Sequence, residues 1–206
     1  MELALRPLRK QDYGKAMRFA IEGMHFNRYM KSQLLLTTYG WFFWYSELQR
    51  SSQVIAAYHD DELVGVLLAD MKGEPKTNHP FWSRLFVRVF DCIQKTFYKK
   101  SYDPYDLVSA EMFEDFSRKY TPDGEVVFLA ADLTAGIKGI GTMLLEELER
   151  REYGKRIFLY TDHNCNYQFY EHRGFRRMEE KDTTVEVDSA GKVPLCCYLY
   201  SKTCGK

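Results

Sequence analysis

Neither sign of charge is in excess in this chain of 206 residues, because 29 Lys and Arg offset 29 Asp and Glu. A balanced chain has no global field to draw in nucleic acid or an anionic bilayer. No basic run resembles a nucleic-acid arm, so no nucleic-acid partner and no membrane partner are expected. Long hydrophobic runs are missing too. Runs such as Leu34–Leu36 and Trp41–Trp44 are far short of the ~20 residues that cross a bilayer. The first residues, Met1 to Arg6, read as a strand and not as an apolar leader, and cytoplasm is the expected location. The five cysteines, Cys92, Cys165, Cys196, Cys197 and Cys204, are odd in number and contain no Cys-x-x-Cys pair. That excludes a disulfide framework and gives no zinc site, so reduced thiols and no metal are expected. No Gly-x-x-x-x-Gly-Lys-Ser/Thr loop exists, and Leu144 stands where a dinucleotide fingerprint after Gly139-Ile140-Gly141 would need glycine or alanine. No internal repeat or low-complexity tract appears.

What is present suffices for a real core. About 45% of residues are hydrophobic and 16% aromatic, in a length that suits one large domain or one domain with an elaboration. Residues 2–7 read as a strand. Asp12 is placed to cap a helix whose apolar face is Tyr13, Ala16, Met17, Ala20, Ile21 and Met24. A second helix is expected from about Tyr29 to Arg50, with a bend at Gly40. Gln53–Tyr58 and Leu63–Met71 read as an antiparallel hairpin turning at Asp60-Asp61. Between about 72 and 123 the texture changes to a helical insertion. Trp82, Leu85, Phe86, Val89, Phe90, Ile93 and Phe97 share one helical face, and a shorter helix covers about 107–120 between Pro104 and Pro122. Trp82, Phe86 and Phe90 are expected either to pack this insertion onto the domain or to roof a pocket. Its acidic residues, Asp103, Asp106, Glu111, Glu114 and Asp115, read as a solvated helix face or as a docking surface for a cationic amine.

The most informative stretch follows. Val126–Ala131 reads as a buried strand, Thr142–Tyr153 as an amphipathic helix with Leu144, Leu145 and Leu148 on one face, and Gly136, Gly139 and Gly141 crowd the joint. Glycine permits a sharp turn and a close ligand approach. The unpaired N–H groups at a helix start, with the helix dipole, suit a phosphate or pyrophosphate. Arg156–Tyr160 then reads as a strand and Asn164–Arg173 as a short helix ended by Gly174. Two more strands, Phe175–Val187 and Val193–Tyr200, turn at Asp188–Lys192. The order mixes hairpins with one β-α-β crossover. The expected class is α/β (α+β), a mixed, mostly antiparallel sheet flanked by helices.

The second constellation, Tyr167-Gln168-Phe169-Tyr170-Glu171-His172-Arg173-Gly174-Phe175, begins 26 residues after Gly141. Paired with Lys138-Gly139-Ile140-Gly141-Thr142, it resembles the GNAT superfamily of acyl-CoA-dependent N-acetyltransferases. That family has a Gly-x-Gly or Gly-x-Ala joint followed by a short helix ending in Phe/Leu-Tyr-Glu-Lys-x-Gly-Phe. The likeness covers the layout of nearly the whole chain, but in detail only residues 126–175.

The resemblance implies acetyl-CoA as cosubstrate, in a cleft where two central strands splay. Backbone N–H groups of Ile137, Lys138, Gly139, Ile140, Gly141 and Thr142 would bind its pyrophosphate. Ala131, Asp132 and Leu133 would pair with its pantetheine arm as an added strand. A small-molecule or peptide amine would attack the thioester directly, and Tyr170 would protonate the departing thiolate. The family often has Gln or Arg where Gly136 stands. It also often has Asn where His163 stands, which leaves Asn164 or Asn166 for the pantetheine contact.

For the amine's own proton, Asp132 and Glu125 sit at opposite ends of the central strand and can act directly or through water. His25 and His163 are further candidates, and Cys165 would be an alternative acyl carrier. Two other readings stay open: a non-catalytic acyl-CoA sensor, and an interaction domain whose aromatic insertion forms a homodimer.

Overall fold

A computed structural model describes residues 3–30, 32–77, 81–97, 104–187 and 191–205. Seven strands form one sheet: β1 (Leu3–Arg6), β2 (Gln53–His59), β3 (Glu62–Met71), β4 (Gly124–Ala131), β5 (Arg156–Asp162), β6 (Arg176–Val187) and β7 (Gly191–Thr203). Their order is β1-β2-β3-β4-β5-β7-β6. Every neighbouring pair is antiparallel except β4 and β5. The helices are α1 (Tyr13–Gly23), α2 (Phe26–Tyr29), α3 (Gln33–Arg50), α4 (Phe81–Phe97), α5 (Pro104–Ser117), α6 (Ile140–Arg151) and α7 (Tyr167–His172). The mixed, mostly antiparallel sheet is the one the sequence predicted, and the parallel step is the expected crossover β4-α6-β5.

Each face of the sheet buries its own cluster. On one side Leu144, Leu145 and Leu148 of α6 pack on Leu67, Val126, Ile157 and Leu159. On the other, Trp44 and Leu48 of α3 and Ala16 and Ala20 of α1 pack on Val66, Leu68 and Phe128. Met112 and Phe116 of α5 cover Phe158, Leu195 and Leu199. Phe86 and Phe90 of α4 pack on α3, against Tyr45 and Phe42.

Four details depart from the sequence reading. Asp12 precedes α1 but makes no side-chain cap, because its carboxylate is taken by Arg9 Nε at 2.7 Å and by the Tyr58 hydroxyl at 2.8 Å. The helix expected from about Tyr29 begins later, at Gln33 as α3, after the separate short α2, and the Ser32 hydroxyl accepts from Leu35 N to start it. Helix α3 runs through Gly40 without interruption. A Cβ there would stand 2.8 Å from Ile21 Cδ1 and Met17 Sδ, so the glycine lets α1 and α3 approach closely. The helix expected at about 107–120 begins earlier and ends earlier, at Pro104 and Ser117, with proline in the first turn, where no N–H is missed. The turn at Asp188–Lys192 and acidic Asp103 fall largely or wholly outside the described residues.

Candidate active site

The parallel strands β4 and β5 pair only at Gly124↔Ile157 and Glu125↔Phe158. Beyond that point they part. The cause lies in β4 itself. Leu68 pairs with Phe128 and Ala69 with Val126, so Val127 is an extra residue in β4. Val127 and Phe128 consequently both face α3, whereas Val126 faces α6. Such a bulge bends and twists its strand. On the β5 side, residues 126–131 present a main-chain edge with no strand partner among the described residues.

At the open end of β4 the chain makes a short 3₁₀ turn, Leu133–Ala135, and then the glycine joint. Gly136 and Gly139 have φ of +67° and +87°, the left-handed region that glycine enters without penalty. Gly139 is the residue before α6, and no side chain caps that helix. The first N–H groups of α6 therefore remain available to a ligand. Ala131, Asp132, Gly136, Ile137, Lys138, Gly139, Ile140 and Gly141 together line a cleft of about 330 Å³.

Two contacts join the second constellation to this joint. A Cβ on Gly141 would lie 3.3 Å from Phe169 Cζ of α7, and Arg173 donates to the Thr142 hydroxyl at 2.5 Å. Arg173 also has a buried Nε with no partner among the described residues, so a cationic group the sequence reading did not single out sits against the first turn of α6. Tyr170 lies between Phe169 and Phe175, at ring centroid distances of 5.2 and 5.8 Å. Its hydroxyl makes no hydrogen bond among the described residues. Burial, and secondarily the nearby Cys165 thiol, hold the phenol above its ordinary range. Cys165 is itself pushed up to about 12, by burial and then by Asp162, which favours the thiol.

Asp132 lies in the loop, engaged on both sides. It accepts from Thr134 N at 2.9 Å and Thr134 Oγ1 at 2.5 Å, and pairs with Lys15 Nζ at 3.2 Å. The Thr134 hydroxyl and then Lys15 hold its carboxyl below the usual range despite partial burial. Asn164 and Asn166 do not join the cleft around the glycine joint. Both are exposed on the β5–α7 turn, where Asn164 N donates to Asp162 Oδ1 at 2.7 Å. His163 Nδ1 accepts from Cys196 N at 3.0 Å and ties the turn to β7.

At the closed end of the cleft Glu125 meets Arg50 of α3 through two bonds of 3.1 and 2.9 Å. Glu47 binds the same guanidinium at 2.5 Å. Burial raises the Glu47 carboxyl, partly opposed by Arg50 and reinforced by Glu125 and Asp106. The Tyr160 phenol on β5 is raised by burial and then by Glu125. This group lies where α3 and α5 stand to either side of the diverging strands. No local motif marks Glu47, Arg50 or Tyr160, since only the tertiary fold brings them to Glu125. The turn after α1 also approaches β4, with a Cβ on Gly23 falling 3.6 Å from Ala130 Cβ. His25 follows it with φ of +54°.

No family model and no curated protein sequence matches the chain. Solved structures do. A histone acetyltransferase HPA2 and related acetyltransferase from Corynebacterium glutamicum is 15% identical with a TM-score of 0.59, over 100% of this chain and 98% of that one. NAA60 of Arabidopsis thaliana, in complex with a bisubstrate analogue, is 14% identical with a TM-score of 0.55, over 98% of this chain and 97% of that one. A PaiA N-acetyltransferase from Thermoplasma acidophilum, in complex with coenzyme A, is 15% identical with a TM-score of 0.54, over 98% of this chain and 99% of that one. At these identities the likeness is one of fold. The chain has the GNAT acetyltransferase fold, as its two motifs implied.

Proposed function

We propose that this chain is an N-acetyltransferase that moves an acetyl group from acetyl-CoA to a primary amine of a small molecule or peptide by direct attack. The observation that carries the reading is the parting of β4 from β5 beside an uncapped helix start with two left-handed glycines. A cofactor with a diphosphate joined to an amide-rich arm fits both features.

In this reading the main-chain N–H groups from Ile137 to Thr142 hold the pyrophosphate, and the α6 dipole favours its charge. Lys138 and Arg173 add positive charge at the rim. The free edge of β4 through Ala131, Asp132 and Leu133 pairs with the pantetheine amides. Acetyl-CoA supplies the thioester, and the fold brings the amine beside it, which lowers the entropic part of the barrier. The attacking nitrogen forms the amide bond as the carbon–sulfur bond breaks. Tyr170 gives its proton to the departing sulfur.

The amine reaches the cleft between α3 and α5 and loses its proton through water toward Glu125. Asp132 is held as the anion by Thr134 and Lys15, and in this reading its part is to hold the loop. The expected result is coenzyme A binding by titration calorimetry and acetyl-CoA consumption with at least one member of a panel of amines and peptides. No binding of coenzyme A by the folded chain overturns the reading.

A further inference from the structure

Helix α4 has an apolar face wider than its neighbour covers. Phe86 and Phe90 rest on α3, and Gln49 fixes the start of α4 by donating to Ser83 O at 3.1 Å. Among the described residues nothing packs over the adjoining strip. Phe81, Trp82, Leu85 and Val89 are 71, 74, 39 and 49% exposed. The spacing of Trp82, Leu85 and Val89 places them on one stripe along the helix. Arg84 and Arg88 border that stripe. Both are exposed, and neither forms an ion pair among the described residues. Over its length α4 carries Arg84, Arg88 and Lys95 against the single acid Asp91.

The geometry points to α4 as a docking helix for an anionic lipid surface, lying in the headgroup plane with Trp82, Leu85 and Val89 turned into the acyl boundary. An indole, branched aliphatic side chains and bordering arginines are the components of an interfacial helix. The arginines complement acidic headgroups locally even though the whole chain is neutral. No helix among the described residues is long and apolar enough to cross a membrane, so the contact is peripheral. A second copy of the chain is the less favoured occupant. An isologous antiparallel contact along this stripe sets Arg84 and Arg88 against the same residues of the partner, and like charges oppose that pairing. This inference does not depend on acetyl transfer.

The test is co-sedimentation of the full chain with phosphatidylcholine vesicles, with and without phosphatidylserine. Phosphatidylserine is expected to raise binding about tenfold or more, with loss at high salt. Trp82→Glu with Leu85→Glu removes binding, and Arg84→Gln with Arg88→Gln lowers it about tenfold. All four side chains are exposed, and an unchanged melting midpoint confirms folding. Equal binding to both vesicle types, or variants that bind as the parent does, overturns the proposal. So does self-association in sedimentation velocity that the Glu variant abolishes while vesicles stay unbound, which identifies a second copy as the occupant.

Discussion

Gly65 on β3 stands directly beneath Ile140, the first residue of α6. A Cβ at Gly65 would lie 2.5 Å from Ile140 Cγ2 and 3.0 Å from Leu144 Cδ1. The missing side chain sets how closely α6 lies on the sheet, and with it where the free amides of α6 point. Gly65→Ala is expected to cost about 1–3 kcal/mol by overpacking. It is also expected to weaken coenzyme A binding, since the helix start must move outward. Urea unfolding and calorimetry on the same preparation check both effects. An unchanged midpoint with unchanged affinity contradicts the packing argument.

Tyr170→Phe separates chemistry from binding. The variant keeps the ring between Phe169 and Phe175 and removes only the hydroxyl. Coenzyme A affinity should be unchanged, and kcat should fall by about a hundredfold or more. Because burial raises the parent phenol above its ordinary range, the group stays protonated past the usual value of about 10. The parent rate should therefore show no fall near that pH from this residue. The sign for stability is the same: the neutral phenol's contribution is complete below the unfolded value and lost as pH rises through the folded one. A kcat insensitive to the substitution removes Tyr170 as the acid, whereas coenzyme A binding with no turnover in the parent leaves the chain as a sensor.

Asp132→Ala tests whether this carboxylate shapes the loop or takes the proton. It accepts from Thr134 in the manner of a cap, a bond whose loss costs about 0.5–2 kcal/mol. Its folded carboxyl is lowered by Thr134 and Lys15. That contribution is present above the unfolded value of about 3.9 and is lost as pH falls toward the folded value. The stability gap between parent and variant should thus be full at neutral pH and shrink in acid. A loop-shaping role raises KM with kcat largely kept. A collapse of kcat at unchanged KM would restore Asp132 as the base.

The elements and glycine joint were legible because their causes are local. Alternation and helical spacing produced β2, β3, α6 and β7, and the left-handed Gly139 and Gly174 ended up where turns were expected. The bulge at Val127 was not legible. No glycine or proline marks it, and it exists only as a mismatch with β3. Gly40 read as a weak point in a helix, although its role is set by Met17 and Ile21 of a different helix. Arg50 is 75 residues from Glu125, and nothing in the intervening sequence announces their pairing. Asp12 looked like a cap, but a tyrosine from β2 competed for its carboxylate. Long-range polar partners are what the periodicities cannot carry.

The two loop glycines distinguish backbone conformation from crowding. No atom of the described residues lies within 4 Å of a Cβ added at Gly136 or Gly139, yet both have positive φ. Gly141 is the reverse, with ordinary φ and Phe169 Cζ at 3.3 Å from the added atom. At Gly139 the cost of alanine is therefore the left-handed backbone alone, roughly 1–2 kcal/mol. Asparagine, which tolerates that region better, should recover part of it despite its larger side chain. At Gly141 the order should invert, with alanine tolerated by a small shift of the Phe169 ring and asparagine excluded by size. Coenzyme A affinity measured across Gly139→Ala, Gly139→Asn, Gly141→Ala and Gly141→Asn checks this crossing of ranks. If asparagine is the worse residue at both positions, bulk governs the joint, and the conformational account of the diphosphate loop fails.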